Sequence, residues 1–493
     1  MSEIVETTRG KVRGAGDRVK RFLGIPFAAP PLGGRRLAPA VPAEPWSGVR
    51  DATAVGPEAP QLPSPLSIIE GDPLPQSEDC LSLNVWTPAA DGARRPVMVW
   101  IHGGGFSTGG SARPLYDGTA LAVQGDVVVV TINYRLGVLG LMAHPSLRDP
   151  ETGALGNWAL LDQIAALRWV RDNISAFGGD PQRVTIFGES AGGASVGMLC
   201  ISPLAQGLFR RAIAQSGSPL PIPLEQSVQG GEQVFTDLGL ASGDAEKLRR
   251  ATMEQILGAQ AAWALTASRG RTAPRPALDS VVLPDWPDQA VDRGRLDGVE
   301  LIVGTTRDEF RLLAMQDPKR KTLDRDDLLR RVSHELGDDV RSREIVEAYS
   351  DARGRRGEAT EPWDLWCAIQ TDRLIRAPSF DLLERHCARG GRGRAYVVTW
   401  ESPAAALGAC HAIELPFCFG TLNSAPGIHA FAGKGPEADH LQQRMTAAWA
   451  ELGRSGEPAG WPQYIAGEET VAVFGADPAE KLAHRPEELA AWR

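Results

Sequence analysis

Short runs of apolar residues recur along the chain and predict buried β-strands. The runs lack polar alternation, which is typical of strands covered on both faces of a sheet. The strands predicted in this way span residues 97–101, 127–132, 184–187, 301–303 and 396–400.

Between the second and third of these runs, the apolar spacing changes from strand-like to helical. One face of the predicted helix carries Leu160, Ile164, Leu167, Ile174 and Phe177. Gly178 and Gly179 end this helix, and Asp180-Pro181 is expected to turn the chain into the next strand. The order strand, helix, strand predicts parallel pairing, and therefore a doubly wound, mostly parallel α/β sheet with helices on both faces.

Two longer stretches, residues 225–285 and 320–390, are rich in Leu, Ala, Arg, Glu and Asp. We interpret both as helical insertions that cap the sheet of a single domain spanning residues 1–493. The proline-rich stretch 52–77 is expected to form an ordered loop.

Composition narrows the possible functions. Hydrophobic residues make up 43% of the 493 residues and charged residues 23%, which is ordinary for a globular protein. Fifty-two basic against 61 acidic residues give a net charge of −9, and no basic run resembles a nucleic-acid footprint. The polar start, the absence of a membrane-length apolar run and six scattered cysteines favour a cytoplasmic protein without disulfides or a membrane partner. We expect a monomer or a small homo-oligomer.

The most specific chemical signal is Gly188-Glu-Ser190-Ala-Gly192, which directly follows a predicted strand. A sharp turn from strand to helix in this sequence context lifts a serine hydroxyl clear of the sheet, where it can act as a nucleophile. The alternative is a glycine-rich loop that happens to contain a serine.

A second signal, His102-Gly-Gly-Gly105, also follows a strand. Consecutive glycines allow backbone N–H groups to turn towards an oxyanion, and the N–H after the nucleophile adds a further donor. The alternative is a flexible turn.

A nucleophilic serine needs a base and an acid that orients it, and on this fold class the acid precedes the histidine. The loop after strand 301–303 offers Asp308 or Glu309 as the acid. Among the later histidines, His411 follows strand 396–400 through a short loop and is the best placed. His334 and His386 fall in charged helical patterns that predict surface positions, and His429, His440 and His484 follow no strand.

Further motifs appear in a fixed order along most of the chain. They include Glu78-Asp-Cys80, His102-Gly-Gly-Gly105, Asn133-Tyr-Arg135, Asp162-Gln163, Gly188-Glu-Ser190-Ala-Gly192, Gln215-Ser-Gly-Ser218, Arg307-Asp-Glu309 and Gly408-Ala-Cys-His411. With these motifs the sequence resembles the type-B carboxylesterase family of α/β-hydrolases, and most closely its bacterial p-nitrobenzyl-esterase-like members.

The resemblance implies a role for individual residues. It favours Glu309 over Asp308 as the acid and supports Ser190 and His411 as nucleophile and base. It places oxyanion donors at the backbone of Gly104, Gly105 and Ala191. It also suggests that Glu189 helps to hold a histidinium and that the Ser216 hydroxyl lies near the acid.

The expected activity is hydrolysis of uncharged aryl or alkyl esters through an acyl-enzyme. Phe106, Pro219, Phe310 and Phe417 adjoin motif residues and are predicted to line an apolar pocket. The histidines are scattered and no HExxH motif is present, so we expect neither a metal nor an organic cofactor. Two alternatives are a carbamate, amide or other xenobiotic hydrolase with the same residues, and a non-catalytic binding protein on this fold.

Overall fold

The computed structural model describes residues 2–64, 74–267, 274–468, 470–477 and 486–492. Within these ranges, twelve strands form one sheet. The strands are β1 (Ser2–Thr7), β2 (Gly10–Ala15), β3 (Lys20–Pro26), β4 (Val49–Asp51), β5 (Ser82–Thr87), β6 (Arg95–Ile101), β7 (Val128–Ile132), β8 (Gly179–Glu189), β9 (Arg211–Gln215), β10 (Glu300–Thr306), β11 (Gly393–Val398) and β12 (Ala472–Phe474).

Helices separate the strands over most of the chain. The α-helices are α1 (Thr119–Gly125), α2 (Gly137–Leu141), α3 (Trp158–Asn173), α4 (Ala191–Ile201), α5 (Leu224–Asp237), α6 (Ala245–Arg250), α7 (Met253–Ala267), α8 (Pro287–Asp292), α9 (Phe310–Leu313), α10 (Arg325–Leu336), α11 (Asp339–Arg355), α12 (Pro362–Thr371), α13 (Ala377–Ala388), α14 (Leu415–Phe419), α15 (Pro426–Ala432), α16 (Pro436–Arg454) and α17 (Pro486–Ala490).

The sheet is mostly parallel, as predicted. Its order is β1-β2-β3-β5-β7-β6-β8-β9-β10-β11-β12, with β4 beside β2. From β7 to β12 every neighbouring pair is parallel. The antiparallel strands β1, β2 and β3 were not predicted from the apolar runs, because each of them is only partly buried.

The side chains of the apolar runs pack into the cores on both faces of the sheet. Along β6, Val97, Val99 and Ile101 enter one core cluster, which also contains residues of α3 and α4. Met98 and Trp100 enter a second cluster with residues of α1 and α16. Successive side chains of a strand point to opposite faces, so this split places helices on both sides of the sheet.

The predicted turn at Asp180-Pro181 is wrong in detail. β8 already begins at Gly179, so both residues lie within the strand. Arg95 pairs with Gly179 but Val97 pairs with Val184, so a bulge accommodates the intervening residues. The carboxylate of Asp180 there accepts hydrogen bonds from Arg94 at 3.1 Å.

The two stretches interpreted as insertions contain helices. Residues 225–285 include most of α5 and all of α6 and α7, and residues 320–390 hold α10 to α13 with a π-helical turn at Asp372–Arg376. Residues 268–273 of the first stretch and residues 65–73 of the proline-rich stretch lie outside the described residues. No helix in the described ranges combines the length and apolar composition needed to cross a membrane.

A buried ion pair joins the segment after β7 to α3. Asp162 accepts hydrogen bonds from Nε and Nη2 of Arg135, at 2.8 and 2.7 Å, and from the backbone N–H of Arg135 at 3.0 Å. Both side chains are almost completely buried. Removal of one partner would leave an uncompensated charge in the core.

We therefore expect Asp162→Ala to lower the free energy of unfolding by about 3–5 kcal/mol. Urea unfolding followed by tryptophan fluorescence measures the change. Asp172→Ala is the matched control because it removes an exposed Arg171–Asp172 pair, and it should cost less than about 0.5 kcal/mol. Equal losses in the two variants would contradict a structural role for the buried pair.

Candidate active site

Ser190 occupies a sharp turn between β8 and α4. Its backbone has φ 58° and ψ −122°, values that L side chains rarely adopt. The turn is fixed on both sides, since Ser190 N donates to Gln215 O at 2.9 Å and Ser190 O accepts from Ala194 N at 2.8 Å. This is the strained strand-to-helix turn that the sequence predicted.

Two glycines give this turn the room it needs. A Cβ at Gly192 would lie 2.0 Å from Ile101 O, and a Cβ at Gly217 would lie 2.2 Å from Ser190 O. Neither backbone oxygen could move away without breaking the local fold. The glycine pattern around Ser190 thus reflects close backbone packing as well as backbone freedom.

The loop after β6 brings glycine amides to the same place. Gly104 has φ 103°, and a Cβ there would lie 2.2 Å from Thr108 O. His102 anchors the start of the loop: its buried ring stacks on Tyr134, whose hydroxyl donates to His102 O at 2.7 Å. Burial lowers the pKa of His102 to about 4, so this histidine is neutral and structural. The N–H groups of Gly104 and Gly105 donate to no acceptor in the described parts of the chain.

His411 and Glu309 are joined as the sequence order suggested. Nδ1 of His411 lies 2.6 Å from Glu309 Oε2, and both side chains are buried. Glu309 Oε1 accepts from the backbone N–H of Thr306 at 2.6 Å, which fixes the carboxylate at the end of β10. Asp308, the alternative acid, instead accepts from Ala409 N at 3.1 Å and from Arg307 Nε at 3.0 Å.

A second carboxylate faces the other nitrogen of the imidazole. Nε2 of His411 lies 3.1 Å from Glu189 Oε1. Burial alone would lower the pKa of His411, but the charge of Glu189 and the hydrogen bond and charge of Glu309 outweigh it and raise the pKa to about 9. Glu189 therefore lies where the resemblance suggested, against the imidazole. The Nε2 atom makes no hydrogen bond within the described residues.

Glu414 is a third buried carboxylate that sequence reasoning missed. Burial and the charge of Glu309 raise the pKa of Glu414 to about 7. Its Oε1 lies 3.4 Å from the amide nitrogen of Gln215, whose oxygen accepts from Trp449 Nε1 at 3.0 Å. The sequence does contain a signal for it, because a single glutamate within the otherwise apolar run after His411 predicts a buried carboxylate at a functional site.

Ser216 lies beside β10, the strand that precedes Glu309, and the expected proximity of its hydroxyl to that acid stays a prediction. It follows β9 at φ 47°, and its backbone N–H donates to Gly304 O at 2.8 Å. Its buried hydroxyl makes no hydrogen bond in the described structure, to Glu309 or to any other group. Ser216 also lines a cavity whose wall contains Ser190.

Two cavities meet at Ser190 and His411. The larger cavity, about 460 Å³, is lined mostly by apolar side chains, among them Leu115, Tyr116, Met315 and Leu415. The smaller cavity, about 290 Å³, extends past Ala191 and Ser216. Gly105 and Leu313 also line both, so the serine lies at the junction of two compartments.

Of the four residues proposed for an apolar pocket, Phe106 lines the smaller cavity. The other three are absent from the described walls of both cavities. Pro219 packs where a Cβ on Gly197 would touch its ring, Phe310 packs edge-on against Trp366, and Phe417 is fully buried against Trp400. Adjacency to a motif in sequence did not identify the residues that line the cavities, because the side chains of Phe310 and Phe417 pack against neighbouring core clusters.

None of the other histidines lines either cavity in the described structure. His334 is exposed, as expected, but the surface position predicted for His386 is wrong: it is buried, with Nε2 3.1 Å from Val299 O. His484 lies outside the described residues. In the described ranges the six cysteines form no disulfide, and no group of His, Cys, Asp or Glu side chains has the arrangement of a metal site.

Comparison with known proteins gives one consistent result. The model of the carboxylesterase family matches residues 1–492. The para-nitrobenzyl esterase of Bacillus subtilis (strain 168) is 37% identical over 98% of this chain and 97% of its own, and the phenmedipham hydrolase of Pseudarthrobacter oxydans is 36% identical over 97% and 96%. The crystal structure of the carboxylesterase of Geobacillus stearothermophilus is similar with a TM-score of 0.87 and 39% identity, over 99% of this chain and 100% of that chain.

The buried carboxylates make the titration of His411 testable. With selectively ¹⁵N-labelled histidine, NMR should give a pKa of about 9 for His411, well above the usual 6.5. Glu189→Gln should lower it, because one of the two facing charges is removed. Glu232→Gln, at an exposed carboxylate bound to His144, is the control and should leave His411 unchanged.

The raised pKa also fixes the sign of the linkage to stability. The folded state favours protonated His411, so this stabilisation is complete below about pH 6.5 and is lost as the pH rises through 9. A wild-type pKa at or below 6.5 would contradict the electrostatic account.

Proposed function

The chain belongs to the carboxylesterase family of ester hydrolases, and from this premise we propose that it cleaves carboxylic esters through an acyl-enzyme formed on Ser190. The observation that carries the proposal is the meeting of Ser190, with its strained backbone, and His411 in the walls of the same two cavities. In this proposal Ser190 Oγ attacks the ester carbonyl and gives its proton to His411 Nε2.

Glu309 has the geometry of the orienting acid. In the neutral form of His411, whose fraction grows as the pH rises towards 9, the 2.6 Å contact of Glu309 with Nδ1 holds the tautomer that leaves Nε2 able to accept a proton. Glu189 and Glu309 then stabilise the imidazolium that forms in each tetrahedral step. The imidazolium protonates the leaving alcohol, and water repeats the attack on the acyl-enzyme to release the acid.

The oxyanion of each tetrahedral intermediate would be held by the backbone N–H groups of Gly104, Gly105 and Ala191. The first two make no hydrogen bond to a described acceptor, and Ala191 is the first residue of α4, where a helix N–H lacks an intrahelical partner. Loss of one such donor raises the reaction barrier by about 3–4 kcal/mol in enzymes of this mechanism.

The larger cavity supports an apolar ester as substrate. Its side chains would desolvate an uncharged aryl or alkyl group without a polar partner. Attack on a carbamate or amide would use the same residues. Relative rates on ester, carbamate and amide substrates of matched shape decide between the three bonds.

The first test uses p-nitrophenyl acetate, butyrate and octanoate as substrates. We expect hydrolysis by the wild type and a loss on the order of 10⁵–10⁶-fold in kcat for Ser190→Ala, since the nucleophile is gone. Ser175→Ala, at an exposed serine outside both cavities, is the matched control and should retain activity. Hydrolysis that survives in Ser190→Ala would exclude the acyl-enzyme on Ser190.

A second test separates the two candidate acids. Glu309→Gln keeps the shape but not the charge beside Nδ1, so kcat should fall by about 10⁴-fold. Asp308→Asn should lower it by no more than about tenfold, because Asp308 contacts a backbone amide of the loop rather than the imidazole. The reverse order of losses would assign the role to Asp308.

A further inference from the structure

An arginine lies in the wall of the smaller cavity. Arg275 lines it between Pro274 and Pro276, together with Ser190 and His411. Arginine is an unusual choice for the wall of a pocket meant only for apolar groups, because its guanidinium keeps its charge at every physiological pH. A positive charge in this wall would be stabilised by an anionic group close to it.

Within the described ranges, no carboxylate lies in contact with Arg275. Arg275 makes no hydrogen bond or ion pair with any described residue. By contrast, nearby Arg373 binds Glu335 at 2.6 Å and Gln370 at 3.0 Å. Desolvation, and then the charge of Arg373, lower the pKa of Arg275, with no carboxylate to offset them. The positive charge is thus uncompensated within the described structure.

Arg275 is also accessible. Its side chain is exposed although the guanidinium is desolvated, and the two observations agree if the exposed surface faces the cavity rather than open solvent. A small anion in the cavity could therefore reach it. In such partly desolvated surroundings a charge-assisted hydrogen bond is stronger than on an open surface.

The other charges of the site define where an anion would bind. Within the described walls of the two cavities, the side chains that can carry a charge near neutral pH are Glu189, Arg275 and His411. Glu189 and Glu309 contact the imidazole, the charge of the buried Glu414 acts on it as well, and together they would repel a second anion there. An anionic group would be favoured only at the part of the smaller cavity that Arg275 lines.

We infer that the preferred substrate is an ester with a free carboxylate on the half that enters the smaller cavity, where Arg275 binds that carboxylate. The inference rests on the proposed ester hydrolysis and deepens it. In this inference, the uncharged aryl or alkyl group of the ester occupies the larger cavity. The carboxylate takes no part in bond making: Ser190 attacks the ester carbonyl, the alcohol leaves with a proton from His411, and water releases the acid.

The experiment uses substrates in pairs that differ only in charge. On the acyl side, the 4-nitrophenyl monoester of adipic acid is compared with the 4-nitrophenyl ester of adipic acid monoamide. On the alcohol side, 4-carboxyphenyl butyrate is compared with 4-carbamoylphenyl butyrate. For each pair the measured quantity is the ratio of kcat/KM for carboxylate over carboxamide, and comparison between variants cancels differences in intrinsic reactivity.

We expect Arg275→Gln to lower this ratio by at least about tenfold in one of the two pairs, the size of effect that a charge-assisted hydrogen bond supports. The pair affected identifies the half of the ester that occupies the smaller cavity. Arg275→Lys keeps the charge and should retain part of the preference. Arg250→Gln, at an exposed arginine paired with Glu246, is the matched control and should leave both ratios unchanged.

A second measurement needs no variant. Because Arg275 is accessible, the wild-type ratio for the sensitive pair should fall as NaCl rises from about 20 mM to about 500 mM, through screening of the charge. Ratios that are equal in wild type and Arg275→Gln for both pairs would overturn the inference, whatever their dependence on salt.

The outcomes also separate this inference from the function on which it rests. Hydrolysis of the carboxamide esters that depends on Ser190, without any effect of Arg275, would leave the esterase intact and reject the anionic substrate. Hydrolysis of all four esters at equal rates in wild type and Ser190→Ala would reject the proposed function itself.

Discussion

The backbone conformation at Ser190 is the constraint on which the site depends. A strand that ends at Glu189 and a helix that begins at Ala191 leave one residue for the change of direction, and that residue must adopt a positive φ. The turn is possible only because Ile101 O and Ser190 O approach glycines at distances that no Cβ would tolerate. The loop after β6, the turn after β9 and helix α4 are therefore packed around one strained peptide.

The electrostatics of the site follow from the same packing. Glu189 is held in the core beside the turn, Glu309 at the end of β10, and Glu414 just beyond the histidine. Glu189 and Glu309 contact the imidazole of His411, and the charge of Glu414 acts on it as well. Three anions and one cation in a protein interior cannot all keep their solution pKa values. The pKa of His411 is raised and that of Glu414 is raised as well, so the group holds protons near neutral pH as a unit.

Sequence reasoning recovered the parts of the fold in which local pattern and tertiary position agree. Runs such as 97–101 had to be buried on both faces, and the structure divides their side chains between two cores. Ser190 and the glycine loop could be found because backbone strain and close approach restrict residue type at fixed spacing. The residues that line the cavities could not be found in this way. Phe417 and Phe310 adjoin motif residues but point into the core, whereas Arg275 lies in no motif. Glu414 was missed because its burial depends on packing against Gln215, far away in sequence.

The order of strands in the sheet has a consequence for biosynthesis. β6 pairs with both β7 and β8 early in the chain, whereas β11, which precedes His411, joins the sheet beside β10 much later. Helix α16, which comes later still, enters the same core as α1. A chain that emerges from the ribosome can therefore form the turn at Ser190 before His411 has been synthesised, and folding from the N-terminus brings the two residues together only late in translation.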